Sequence, residues 1–586
     1  MVSLIRQLDE VTRVAGDVER IRACCQTWVR ELRLMLDEAE DYVDNFIIKV
    51  YGQTGQDQKE SIAELASELE NINSRVSEIM NRRPPLGASP ILEEIQQFLR
   101  SRFAFDEDDE KTALASCMLN YINLPYDLKL SLLFCRAFSC YSRKNKCSLV
   151  RVLVAAGLIQ EKPGELMEDK AQENIDRLVD LGMLKEDETE WDCLRVPSPY
   201  YKLSLDVMNA EDFLISTANS DSIIPPTARH VSILDADNTI PNMNSLLHSL
   251  FVSAKEGLSE ASSDCLETVL YNAKRVRVLG LERTQLKSLP DEVGKLVNLR
   301  YLSVRHSKIN ELPESISNLR NLQTFDIYFS GYEFELSNGV LNLARLRHLK
   351  MYRPMNDGEV RVPQGISRLR NLQTLEGIYA GGGIAKELGN MTQLRSLELR
   401  RVSEDHAGEL YASIMKLTGL CTLSLTVERV RLLYNSSSSL RYENSLFPCL
   451  ESFSPPPLLQ TLTLTGHLIE MPRMEIEFFR AGGFPKLEYL AIESQDLVEW
   501  TAIEEGALPS LKELRFSNCP KLMVLPEELQ HVTTLQILHL WKVHEDLIRR
   551  LSPNGGPENY KIKHIPLVSY SGHMSSWGRW RRKPPQ

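Results

Sequence analysis

The stretch AGGGIAKELG at 380–389 comes nearest in this 586-residue sequence to a phosphate cradle, since consecutive glycines let backbone N–H groups converge on an anion. It lacks the lysine and hydroxyl of the G-x-x-x-x-G-K-[ST] register, and that pattern occurs nowhere in the sequence. The acidic run FDEDDE at 105–110 offers carboxylates for magnesium, but without phosphates to bridge it reads as a solvated turn. H-E-x-x-H and G-x-S-x-G are absent, and adjacent Cys24 and Cys25 lack the C-x-x-C spacing of redox or zinc chemistry. The reading predicts no enzyme: no catalytic residue, no metal ligand, no cofactor, no small-molecule substrate. Residues suited to recognition are present instead. Tyr301, Arg305, Asp326, Tyr328, His348, Lys350 and Tyr352 fall at even steps within a repeating pattern. Tyrosine and arginine combine a large contact area with a polar handle at modest entropic cost, which suits them to bind protein.

A scaffold must hold those residues in columns, and the sequence supplies one. L-x-x-L-x-L-like units start at Val276, Leu299, Leu322, Leu346, Leu372, Leu394, Leu420, Leu459, Leu487, Leu511 and Leu535. Most steps lie within the leucine-rich repeat period of about 20–29 residues. Looser units at Ala228 and Leu247 open the array, and the long step from 420 to 459 holds a surface excursion. Leucines of each unit point into a solenoid while residues two, four and six positions on face out of a parallel sheet. Adjacent units then place Arg305, Tyr328 and Tyr352 in one column flanked by Lys350 and His348. Later columns, such as Thr422, Ser424 and Thr426 or Thr461, Thr463 and Thr465, are small, so the reading places recognition at the N-terminal end of the array.

Before the repeats the pattern is helical. Apolar residues from Leu4 to Val50 recur at alternating steps of four and three, and a second stripe runs through Ile62, Leu65, Leu69, Ile72, Val76 and Ile79. The two predict a partial coiled-coil bundle over 1–83. RRPPLGASP is a linker, and 84–111 separates this bundle from short amphipathic helices spread over 112–222, a winged-helix-like domain. The array occupies 223–552, and 553–586 is a C-terminal tail ending in the basic SWGRWRRKPPQ, expected to be frayed and solvated. A winged helix raises DNA binding, but LVRVLVAAGLI carries only Arg151 and the chain's formal charge is −12, which disfavours nucleic acid. Eleven scattered cysteines, no signal-peptide-like N-terminus and no run of transmembrane length fit a cytoplasmic protein with at most peripheral membrane contact.

The segment VRELRLMLDEAEDYVDNFIIKVY, with Glu40, Asp41, Tyr42, Val43 and Asp44, resembles the acidic patch of the coiled-coil domain in plant intracellular nucleotide-binding leucine-rich-repeat immune receptors. LPYDLKLSLLFCRAF and VRVLVAAGLIQEK are similar to that family's winged-helix region, and NCPKLMVLPEEL and NYKIKHIPLV to its repeats and tail. The resemblance implies a mainly α N-terminal part followed by an α/β leucine-rich-repeat solenoid. It also implies that Glu40, Asp41 and Asp44 hold the coiled coil against an arginine-bearing repeat surface, and that partners are proteins: a pathogen effector, a guarded host protein or another immune receptor. It sets cytoplasm as the compartment, with the nucleus and the plasma-membrane periphery as alternatives.

Two departures bear on function. The family's nucleotide-binding core, which holds its phosphate cradle, is replaced by the 84–111 linker, and Met1 aligns near the family's second helix. At the family's Met-His-Asp nucleotide sensor the chain reads Arg195-Val196-Pro197-Ser198, so Pro197 and Ser198 replace the His and Asp. The expectation is a non-catalytic, nucleotide-independent defence protein, the alternative being a truncated, inactive gene product. Both prolines of CLRVPSPYYKL lack a donor N–H, so no helix is expected to run through that slot.

Overall fold

The computed structural model describes residues 31, 35, 38, 39, 41–50, 56–81 and, with interruptions, 117–201 and 215–581. The chain forms two compact units, one comprising Met1–Lys255, Asp264–Leu279 and Lys295–Tyr301, the other Glu256–Ser263, Gly280–Gly294 and Leu302–Gln586. Cys24, Cys25 and the 84–111 segment read from the sequence lie outside the described residues.

In the first unit a helix over 41–50 pairs with the helix Gln56–Asn81, and Lys49 to Glu64 (2.6 Å) and Arg75 to Glu38 (2.9 Å) bridge them. Ile72 and Ile79 are buried as the stripe requires, whereas Ile62 is half exposed and Ser61 is buried in its place. A four-residue step back from Leu65 lands on Ser61, and that step keeps the seam in line where a three-residue step does not.

Helices Tyr126–Ser139, Lys146–Ala155 and Met167–Asp180 enclose the unit's core, with Leu132, Leu133, Phe134, Leu153, Ile175 and Leu178 nearly inaccessible. An antiparallel sheet of Lys144–Asn145, Cys193–Arg195 and Lys185–Glu186, with Cys193–Arg195 in the middle, completes a winged-helix arrangement. Gly157 and Gly182 end the second and third helices in the left-handed region (φ +79° and +70°), where their N–H groups reach back to Val154 and Val179 carbonyls. The Pro197 slot differs from expectation in one respect. A helical turn begins at Ser198, with the Tyr201 N–H donating to the Pro197 carbonyl at 2.9 Å. Prolines fit a first helical turn because its N–H groups have no intrahelical acceptor. Tyr200 then turns inward, its hydroxyl accepting from Asn120 Nδ2 at 3.2 Å.

Parallel strands Ile215–Thr217, His230–Leu234 and Ser249–Ser253 follow in the same unit, so the looser opening units at Ala228 and Leu247 are strands in register. Phe251, Val278 and Tyr301 lend side chains to the helical core.

The second unit is the body of the solenoid. Strands Thr324–Asp326, His348–Lys350, Thr374–Tyr379, Ser396–Val402, Thr422–Val427, Thr461–Thr465, Tyr489–Glu493, Glu513–Ser517 and Ile537–Val543 each begin two residues into a sequence unit and pair in parallel. Their leucines are fully buried and the alternate positions face outward. Short 3₁₀ helices such as Glu314–Asn318 and Asn338–Asn342, and the α-helix Glu404–Ile414, return the chain on the other side.

Two segments differ from the sequence reading. The 420–459 excursion contains an antiparallel ribbon, Arg429–Leu432 against Arg441–Asn444. The expected tail is a continuation of the sheet: Leu567–Gly572 pairs in parallel with Ile537–Val543, and Gly578–Arg581 pairs antiparallel on its outer edge. Trp580 stacks on Tyr570 with ring centroids 4.4 Å apart. An unpaired parallel edge exposes a row of backbone donors and acceptors, and a charged, reversed strand covers it.

Candidate functional site

In the first unit the acidic residues of the coiled coil meet a set of arginines. Asp41 and Asp44 are three residues apart on one helix face. Facing them are Arg229, His248 and Arg277, each immediately before a strand and each one position on from the first apolar residue of its unit. Main-chain bonds stack these positions: the His248 N–H donates to the Arg229 carbonyl and the Arg277 N–H to the His248 carbonyl, both at 2.7 Å. One side chain per strand therefore rises in a column.

Arg229 grips Asp41 with both η nitrogens, at 2.9 and 3.0 Å, the fork-on-carboxylate geometry that makes arginine pairs strong. Arg275 adds a contact to Asp41 at 2.7 Å and donates to Asn45 Oδ1 at 3.0 Å. Arg277 donates to Asp44 Oδ2 at 2.9 Å, and here both side chains are almost wholly buried, at 8% and 2% exposure. His248 Nε2 lies 3.5 Å from Asp44 Oδ2. Burial, and then Arg277, His230, Arg229 and Arg275, hold its pKa far below the usual imidazole range. The ring is neutral and adds no charge, so the arginines carry the pairing. The third acidic residue, Glu40, lies outside the described residues.

The column continues as Arg300, whose N–H donates to the Arg277 carbonyl at 2.8 Å. Positions two, four and six of each unit miss this column, which stands at position one. The signal was available: Arg229, Arg277, Arg300, Arg347 and Arg395 all follow a unit's first apolar residue.

The recognition residues read from the sequence divide into three groups. Tyr301 is 2% exposed and belongs to the first unit's helical core, so it presents no surface. Asp326 and His348, at 1% and 5%, are also buried. Asp326 is consumed by accepting the Tyr328 N–H at 3.1 Å and by Arg305 at 3.9 Å, and His348 Nδ1 lies 3.0 Å from Thr374 Oγ1. Outward-facing parity does not guarantee exposure when neighbouring columns carry long side chains that close over a short one.

Arg305, Tyr328 and Lys350 are brought together. The Arg305 guanidinium lies 5.0 Å and the Lys350 ammonium 5.8 Å from the Tyr328 ring centroid, one cation on each neighbouring strand position. Lys350 also pairs with Glu376 at 2.7 Å, and Ser396 donates to the same carboxylate at 2.9 Å. Burial, then the cations of Arg305 and Arg283, hold the His306 imidazole below its usual range against the opposing pull of Glu282 and Asp326. Tyr352 lies outside the described residues. Among the described residues no cluster of His, Cys, Asp or Glu is arranged to hold a metal ion, and no helix is long and apolar enough to cross a membrane.

The model of the leucine-rich repeat region family matches residues 258–567. The disease resistance protein RPM1 of Arabidopsis thaliana is 27% identical over 513 residues, which cover 77% of this chain and 53% of that protein. The probable disease resistance RPP8-like protein 2 of the same plant is 33% identical over 194 residues, 32% of this chain and 21% of that one. The chain thus spans about half the length of RPM1. Among solved structures, a leucine-rich-repeat protein of Leptospira interrogans aligns over 61% of this chain and 89% of its own at 18% identity, with a TM-score of 0.38.

Proposed function

Because the chain belongs to the leucine-rich repeat family, and within it to the plant nucleotide-binding leucine-rich-repeat disease resistance proteins, we propose that it is a non-catalytic immune-receptor-like protein. It acts by binding other proteins through its repeats and its coiled coil, without nucleotide switching, in the cytoplasm. The observation that carries this reading is the junction of Asp41 and Asp44 with Arg229, Arg275 and Arg277. It restrains the coiled coil by charge pairing alone, a restraint that needs no nucleotide and that a protein partner can compete for. Pro197 and Ser198, in a slot that the family uses to sense a diphosphate, support the same reading. Calorimetric titration of the purified chain with ADP or ATP is expected to give no binding heat. Micromolar affinity or co-purified ADP would overturn the nucleotide-independent reading.

The repeat surface proposed for partner contact is the Arg305–Tyr328–Lys350 cluster, together with Tyr352, which the sequence pattern assigns to the same column. Tyr328→Ala combined with Tyr352→Ala is expected to weaken capture of a native partner by about 2 kcal/mol while leaving thermal stability nearly unchanged, because truncating central aromatics costs binding more than folding. Unchanged capture by this double variant, with loss on altering the threonine columns between 422 and 465, would move the site towards the array's other end.

A further inference from the structure

The last strands of the second unit carry a second group of functional side chains that the bland middle columns lack. Tyr489 stands beside Glu513, Ala491 beside Arg515 and His539, and Glu493 beside Ser517 and Trp541 across three consecutive parallel strands. Ser569 and Ser571 follow beside His539 and Trp541. Small residues, Ala491, Ser517, Ser569 and Ser571, lie between them, and Arg515, His539 and Trp541 are the long side chains that keep partial exposure.

Glu513 lies at the bottom, its side chain 2% exposed, with Arg515 Nη2 donating to it at 3.3 Å and His539 Nε2 lying 3.5 Å away. Arg515 and His539 rise above the carboxylate, at 33% and 23% exposure, and the Arg515 guanidinium lies 5.8 Å from the Tyr489 ring centroid. The Arg515 Nε is buried and, among the described residues, has no hydrogen-bond partner, although guanidinium donors usually find one. Trp541 is 44% exposed at the rim, a large apolar surface left in water on a sheet face. Solvent therefore meets nitrogen donors and an indole, with the neutralising carboxylate underneath. Burial pushes the Glu513 carboxyl up to about 7 against the opposing pull of Arg515, which leaves less negative charge beneath the donors near neutrality. The charged and titratable groups around it are Arg515 on its own strand, Tyr489 on the strand before and His539 on the strand after, with Glu493 further out in the row of Trp541.

We infer that this patch docks an acidic segment of a partner protein, with a carboxylate seated on Arg515 and His539 and an adjacent apolar side chain on Trp541. The inference rests on the reading of the repeats as a protein-binding surface. A basic segment would meet donors and a buried, already paired carboxylate. An anion gains a charge-assisted bond from the partly exposed Arg515 guanidinium and a hydrogen bond from the His539 ring. The indole supplies the desolvated anchor that such polar contacts need to hold at an interface.

The test is selection of a displayed random peptide library on the full chain, repeated on Arg515→Gln and on Trp541→Ala, with thermal unfolding of each variant as the folding control. Trp541 lies at the surface, so its variant retains the fold if Arg515→Gln does not. Peptides enriched in Asp or Glu beside an apolar residue are expected, with roughly tenfold weaker binding to either folded variant and tighter binding below neutrality than above it. Enriched peptides that are basic, or that bind both variants as well as the parent, overturn the acidic-segment inference and leave the wider reading of the repeats intact. Failure to enrich any peptide overturns both.

Discussion

Replacing Asp44 by alanine is expected to cost about 3–5 kcal/mol in the docking of the coiled coil, because it removes the carboxylate that the buried Arg277 guanidinium meets at 2.9 Å. The expense of such a change lies in the buried guanidinium, which stays desolvated after the bond is lost. Arg277 cannot escape to water by rotating, since its side chain is 8% exposed. Asp41→Ala is expected to cost less, since Arg229 and Arg275 retain 16% and 14% exposure and Arg275 keeps Asn45. The readout is hydrogen exchange of the backbone amides in 41–50, which reports local opening without requiring the whole chain to unfold in one step. A loss of this size speeds exchange by about 150- to 5,000-fold. Asp44→Ala combined with Arg277→Leu should recover much of it, since no buried charge then stands alone. A single-variant loss under about 1 kcal/mol would mean that the pair is screened as surface pairs are.

This junction also marks what the sequence made legible and what it did not. The repeat period could be counted directly, because a leucine that faces the solenoid interior has no alternative position and its spacing is set by the length of one coil. The acidic patch could be quoted from Asp41 and Asp44. Its arginines were missed because they occupy the position before each strand, where the alternation of inward and outward residues has not yet begun. Parity was also the wrong guide at Tyr301. It counts as outward in its strand, yet Phe251, Val278 and the winged-helix core enclose it, and which module packs on a sheet face is a tertiary fact with no local periodicity. The strand Gly578–Arg581 was read as tail because its run of charged residues suits solvent, and a charged strand is also what suits an edge. The Arg515 patch escaped for a different reason. Its residues are ordinary one by one, and only the register of three strands brings Tyr489, Glu513, Arg515 and His539 into one place.

Glu513→Gln is expected to stabilise the second unit by about 3 kcal/mol above neutrality and to change little in acid. The sign follows from the direction of the shift. Burial raises the folded carboxyl from its ordinary 4.5 to about 7, so between those values the folded state binds a proton that the unfolded chain releases. Stability of the parent therefore falls as pH climbs through that window, and the full cost of the buried anion is present only above it. Glutamine cannot ionise, and its amide oxygen still accepts from Arg515, so the variant keeps the contact and loses the cost. Denaturation midpoints of parent and variant, compared across the same window, measure the gap directly. A gap that opens towards high pH with glutamine ahead is the expected result. A carboxylate kept at such a cost beneath two exposed donors is consistent with its orienting Arg515 and His539 for an incoming anion. No gap, or a parent that gains stability as pH rises, would mean that Arg515 and His539 hold Glu513 fully ionised. The patch would then present a compensated charge set to its partner and would lose its preference for acidic segments.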